Sequence, residues 1–134
     1  MVNSLSLIDT RIEGAHDLLH ATHEYVKWQA PLDVERMNSN QVLKVSTEAL
    51  RVTVRLTQII AWLMLQKAVL EGELSQEEFL SRDCRVLRGK HCRESASEND
   101  EDLPLRLRQL LKESRELYLR VVRLDKVARE HLKQ

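Results

Sequence analysis

The sequence predicts an all-α fold: an antiparallel three-helix bundle with a short extra helix after the second. Three observations carry this. Only three glycines and two prolines occur, and aromatics are 4% of the chain, a composition suited to helices. Apolar residues recur in steps of three and four along three separate segments, the period of a helix face. No segment alternates apolar and polar residues as a half-buried strand would. With 134 residues the chain is sized for one helical domain with one core.

The first helix is expected at about 5–29, where Leu5, Ile8, Ile12, Ala15, Leu19, Thr22, Val26 and Gln29 form one seam that stops before Pro31. Asn38 or Asn40 can cap the second, at about 40–71. Its seam runs Val42, Val45, Ala49, Val52, Leu56, Ile59, Leu63, Gln66 and Leu70 and ends at Gly72, where a left-handed cap is accessible. At ~1.5 Å per residue this helix is about 50 Å long. Ser75-Gln76-Glu77-Glu78 has capping-box spacing and opens a short helix at about 76–88. The polar stretch at about 89–102 reads as a mobile loop that ends acidic. Pro104 then suits the first turn of a third helix, at about 104–132. Its seam is Leu107, Leu110, Ser114, Leu117, Val121, Leu124 and Ala128.

The second helix raises a question, because Ile59 to Leu65 is apolar without a break. With its seam turned to the other helices, Ile60, Trp62, Met64 and Leu65 fall on the flanks and back. Exposing four such side chains would forfeit roughly 6–12 kcal/mol, comparable to the ~5–15 kcal/mol stability of a whole domain. The expected cover is a second copy of the chain, in a two-fold interface centred on Trp62. The alternative cover is the short helix folded back on the bundle. The apolar run is too short for a membrane span, and the start, MVNSLSLIDTR, lacks the features of a secretory signal.

The 21 basic and 21 acidic residues cancel, so the chain has no general attraction to nucleic acid or anionic lipid. Charge is nevertheless uneven, with nine Lys and Arg against four acids from Arg106 to Lys133. Arg108, Lys112, Arg115, Arg123 and Lys126 lie off the seam and form a candidate docking face for an acidic partner. The acidic residues at 98–102 could instead lie across that face. His16, His20 and His23 share one stripe of the first helix, a spacing that can present imidazoles to zinc. The stripe flanks the seam without a matching Cys or Asp motif, so a solvated stripe is the expectation, with no metal and no cofactor. Cys84, His91 and Cys92 lack a zinc-site pattern, and the two unpaired cysteines fit a reducing cytoplasm. Tyr118 and Asp125 sit one position past seam residues, and Gln66 is polar on the seam. All three are read as register-setting groups, with Arg51 or Arg55 the expected cation for Asp125.

Arg55-Leu56, Trp62-Leu63-x-Leu65-Gln66, Gly72-Glu73-x-Ser75, Leu117-Tyr118 and Arg123-Leu124-Asp125 follow in order across 46–78 and 103–125. This combination resembles the RcdA-like family, alphaproteobacterial proteins named for a regulator of CtrA degradation and also catalogued as a domain of unknown function. The resemblance implies a dimeric three-helix bundle without catalytic chemistry. It implies an adaptor bridging a response-regulator-type adaptor on the ClpXP protease to substrates or further adaptors during the cell cycle. Residues 30–41 show no family signature. The chain stops about ten residues after Asp125, short of the longer polar tail of the family's namesake, so a different set of substrates, or none, is expected if that tail delivers them.

Other classes fit less well. A helical mutase would need several inward Arg and Lys side chains, and the inward positions here are apolar. No nucleophile–base pair, glycine-rich phosphate loop or acid–base dyad spacing is present. A DNA-binding regulator would need a short recognition helix after a tight turn and a net basic domain. The reading is therefore an interaction module, with a helical scaffold for unrelated partners as the alternative.

Overall fold

The structure, a computed structural model, describes residues 4–83 and 96–132. Its elements are α1 (Ser4–Glu24), a π turn (Tyr25–Gln29), α2 (Ala30–Asp33), α3 (Ser39–Leu70), α4 (Gln76–Asp83), a 3-10 turn (Ala96–Asn99) and α5 (Leu105–Leu132). The fold is all-α, as the seams require. The end of the short helix expected at 84–88 and the loop residues 89–95 lie outside the described residues.

Pro31 does not stop the first helix. An α-helical proline presses its ring on the carbonyl four residues back and leaves it without a donor. Here the backbone widens first: the Ala30 N–H donates to the Tyr25 carbonyl, five residues back. Pro31 then falls in the opening turn of α2, where a missing N–H is tolerated. Asp33 ties the two pieces together, accepting from the Tyr25 hydroxyl at 3.0 Å and from Gln29 Nε2 at 2.9 Å. Burial, together with the adjoining Asp33, pushes the Tyr25 hydroxyl well above the usual tyrosine range.

Both ends of α3 carry their sequence signals. Asn38 caps it in a reciprocal box: Asn38 Oδ1 accepts from the Gln41 N–H at 2.9 Å, and Gln41 Oε1 accepts from the Asn38 N–H at 3.0 Å. At the other end the Glu73 N–H reaches the Ala68 carbonyl at 2.9 Å and the Gly72 N–H reaches Val69 at 3.1 Å, a Schellman closure. Gly72 makes this possible at φ 78. A Cβ added there would meet nothing within 4 Å, so any cost of substitution is conformational. Gly72→Ala is expected to lower the unfolding free energy by about 1 kcal/mol, read from urea midpoints; an unchanged midpoint would contradict this account of the turn.

The direction of the last helix differs from the antiparallel expectation. Asp9 near the start of α1 pairs with Lys67 near the end of α3, so α1 and α3 are antiparallel. Along α3, however, Lys44 meets Asp100, Arg55 meets Leu111 and Ser114, and Trp62 meets Asp125. Residue numbers rise together, so α5 runs parallel to α3. The reason lies in the 71–104 connection, which is long enough to return the chain to the start of α3 before α5 begins. Hydrophobic periodicity reports which face is buried but carries no information about direction. Both α1 and α5 pack along α3 and touch each other little.

The core follows the seams. Val45, Ala49, Val52, Leu56, Ile59 and Leu63 of α3 are buried against Leu107, Leu110, Ser114 and Val121 of α5 and Ala15 and Thr22 of α1. Leu111 and Tyr118 are also fully buried, whereas Leu117 and Leu124 are only half-buried. The buried face of α5 is thus rotated slightly from the sequence seam.

Candidate interaction surfaces

The apolar run of α3 is covered from within. Trp62 is buried and meets Phe79 of α4 edge-on, with ring centroids 6.2 Å apart. Its indole Nε1 donates to Asp125 Oδ1 of α5 at 2.9 Å. Asp125 also accepts from Arg129 Nε, at 3.0 Å to Oδ2. A buried tryptophan needs such an acceptor for its N–H, and the i,i+4 arginine balances the carboxylate. Ile60 is buried too, Leu65 is half-buried, and only Met64 of the four stands out, 58% exposed. The expected interface centred on Trp62 is therefore corrected: α4 and α5 of the same chain cover it.

The cation for Asp125 is likewise Arg129, and neither of the two arginines expected. Arg51 pairs with Glu48 on its own helix, Nε to Oε2 at 2.8 Å. Arg55 is buried, its Nη1 donating to the Leu111 carbonyl at 3.0 Å and to Ser114 Oγ at 3.2 Å. Ser114 sits on the α5 seam because it faces this guanidinium. Tyr118 is fully buried and Gln66 half-buried, both among core-lining positions.

What remains uncovered is the opposite side of α3. Leu43, Thr47, Leu50, Val54, Thr57, Ala61, Met64 and Ala68 step by four and three, so they share one face. Leu43, Leu50 and Met64 are more than half exposed, and Val54 is 39% exposed. Every charged residue of α3 before Gln66 (Lys44, Glu48, Arg51 and Arg55) lies on the other side, toward α5 and the 96–103 segment. Thr57 is satisfied by its own helix, its Oγ1 donating to the Thr53 carbonyl at 2.8 Å.

This stripe borders an apolar groove of about 420 Å³ between α3 and the end of the first helix, lined by Val26, Val34, Val42, Val45, Ala49 and Leu50. Val26 and Leu32 are themselves largely exposed, and Trp28 stands out with Lys27 Nζ 5.0 Å from its ring. The stripe was legible in sequence as a second four-three register running beside the seam. Such an uncharged face in a chain that is 31% charged is a candidate surface for association.

The histidine stripe adjoins the same groove. His16, His20 and His23 are exposed and line a hollow with Leu19, Thr22, Val26 and Thr53. Among the described residues, no group of three or more His, Cys, Asp and Glu is arranged to hold a metal ion. Cys84, His91 and Cys92 lie outside the described residues. No described helix is long and apolar enough to cross a membrane.

On α5 the candidate docking residues are brought onto one side but are unequally free. Lys112, Arg123 and Lys126 are exposed. Arg108 donates Nε to the Leu103 carbonyl at 3.1 Å, and Arg115 lies 3.9 Å from Glu98. The described part of the 89–102 stretch is therefore not loose. Asp100 and Asp102 both face Lys44, and Leu103 is buried. Lys44 and the Asp102 N–H hold the Asp100 carboxyl below the usual carboxylate range, and Asp100 in turn raises Lys44.

These features can be set beside known proteins. The chain matches, over residues 4–134, the model of a family described as protein of unknown function (DUF1465). No curated protein matches it. Among solved structures it is similar to the crystal structure of RcdA from Caulobacter crescentus CB15, with 33% sequence identity, a TM-score of 0.71, and 91% of each chain covered. A family match over almost the whole chain, joined to that likeness in sequence and in fold, establishes that the chain belongs to the RcdA-like family.

Proposed function

We propose that this chain is a non-enzymatic adaptor in cell-cycle-regulated proteolysis, bridging an adaptor bound to the ClpXP protease to substrates or to further adaptors in the cytoplasm. The observation that carries this reading is the likeness to RcdA across 91% of both chains. The surfaces beside α3 fit such a role: the two hollows there are lined mainly by aliphatic, small and imidazole side chains.

Within this proposal the chain works as a homodimer. The interface moves from Trp62 to the outer stripe of α3, with Leu43, Leu50, Val54 and Met64 as anchors and Leu65 at its edge. Two facing stripes with four-three spacing can interdigitate as in a coiled coil. The exposed side of α5, with Arg108, Lys112, Arg115, Arg123 and Lys126, docks an acidic segment of a protein partner. Tyr118, Asp125 and Gln66 hold the helices in register.

Affinity capture at native expression, followed by mass spectrometry, tests the function. Recovery of ClpXP or of a receiver-domain adaptor with the bait supports the proposal. Their reproducible absence, with other proteins recovered instead, would replace it by a helical scaffold with unrelated partners.

A further inference from the structure

We propose that the hollow between the end of the first helix and the start of α5 binds a peptide segment of a partner protein, one that carries a carboxylate beside a large apolar side chain. The site shares no residue with the outer stripe of α3 or with the five residues of the α5 docking face.

The hollow has a volume of about 490 Å³ and is lined by Ala21, Glu24, Tyr25, Trp28, Gln29 and Arg106. Both α1 and α5 pack along α3 and touch each other little, which leaves this space between them. Around the π turn the buried face departs from the sequence seam: Val26 and Gln29 are exposed, and Tyr25 is buried instead. Turns of this kind recur at functional sites. Tyr25 is fixed by its hydroxyl, which donates to Asp33 Oδ2 at 3.0 Å. Trp28, by contrast, is 63% exposed, although tryptophan is highly buried on average in folded proteins. An open indole beside a fixed ring can take an apolar group with little reordering of the site.

Charge supplies the other half of the ligand. Lys27 Nζ lies 5.0 Å from the Trp28 ring. On the α5 side, Arg106 Nη1 donates to the neutral Gln109 Oε1 at 3.4 Å. Among the described residues neither cation has a carboxylate partner, whereas Lys44, Arg51, Lys67, Arg115 and Arg129 each have one. A guanidinium held this loosely can turn its fork to a carboxylate. Tryptophan and arginine are also enriched among the residues that carry most of the energy of protein interfaces.

A peptide fits better than a nucleotide or nucleic acid. Glu24 is part of the lining, so a run of phosphates would meet its carboxylate. A peptide can set one carboxylate at Arg106 and its apolar neighbour at Trp28.

The test uses the full chain. A random dodecapeptide phage library is selected on the parent protein with counter-selection on W28A/R106E, and the survivors are measured by fluorescence anisotropy. Trp28 and Arg106 are exposed, and circular dichroism checks that each variant is folded. Survivors are expected to pair Asp or Glu with a large apolar residue. Trp28→Ala and Arg106→Glu should each weaken their binding at least about tenfold, and Arg106→Lys about threefold, since it keeps the charge but not the fork. The distant pair L50D/V54D should change it less than about twofold. In the W62F background Trp28 is the one remaining tryptophan, and its emission should move to shorter wavelength as peptide covers it. No survivors, survivors without acidic residues, or emission unchanged at saturation would each overturn the proposal. A fall in sedimentation mass for W28A would assign the hollow to a second copy of the chain, and ATP displacing the peptides at equal concentration would assign it to a nucleotide; either overturns the peptide.

Discussion

Trp62→Ala is expected to lower the unfolding free energy by about 3–5 kcal/mol, the range for removing a large buried aromatic. The reasoning is local. The indole is 2% exposed, packs edge-on against Phe79 and donates to Asp125, so one substitution opens a cavity under α4 and removes a donor from a half-buried carboxylate. At this chain length the loss corresponds to a fall in melting temperature of about 10 °C or more. Trp62→Phe separates the two contributions. It keeps an aromatic ring but removes the N–H, and should cost about 1–2 kcal/mol, because Asp125 still has Arg129. Calorimetry or urea titration reads both. A Trp62→Ala protein as stable as the parent would mean that the tryptophan does not tie α3 to α4 and α5.

The second large effect concerns assembly rather than folding. Leu50→Asp combined with Val54→Asp places two carboxylates on successive turns of the outer α3 stripe, where the parent side chains are exposed. In a lone chain both carboxylates stay solvated, so helix content and melting temperature should change little. Across a paired interface they would be desolvated beside their two-fold mates. That should weaken association by about 100-fold or more, given at least ~1.4 kcal/mol for each tenfold step and several kcal/mol for unpaired buried charge. Circular dichroism and sedimentation on the same samples distinguish the cases. Loss of helix with unchanged mass would mean that these residues serve the fold and not the contact.

The contrast between these two sites shows what the sequence can reveal. The seams of Val45 to Leu63 and Leu107 to Val121 were legible because burial imposes a helical period on them. So were the Gly72 turn and the cap of α3, which the sequence narrowed to Asn38 or Asn40 and the structure places at Asn38, since each depends on the chemistry of one or two residues. The direction of α5 was not, because periodicity is the same read either way. The continuation past Pro31 was not, because a π turn has no distinct apolar pattern. The α4 part of the Trp62 cover was the alternative the sequence offered, but the α5 part was hidden because it is polar: Asp125 lies 63 residues away in sequence, and nothing local shows that an indole N–H will be met there. Buried Arg55 presents the same difficulty, since its partners at Leu111 and Ser114 exist only once α3 and α5 are packed. The outer stripe of α3 was visible as a register but was masked by the louder apolar run from Ile59 to Leu65.

The central claim is that the uncharged outer face of α3, and not the neighbourhood of Trp62, joins two copies of this chain. Sedimentation equilibrium of the unaltered protein over a concentration series tests it most directly. The account expects a mass near twice the 15.7 kDa of the chain at micromolar concentration, falling toward the single-chain value on dilution. A single-chain mass throughout, up to the highest concentration that stays in solution, would contradict it.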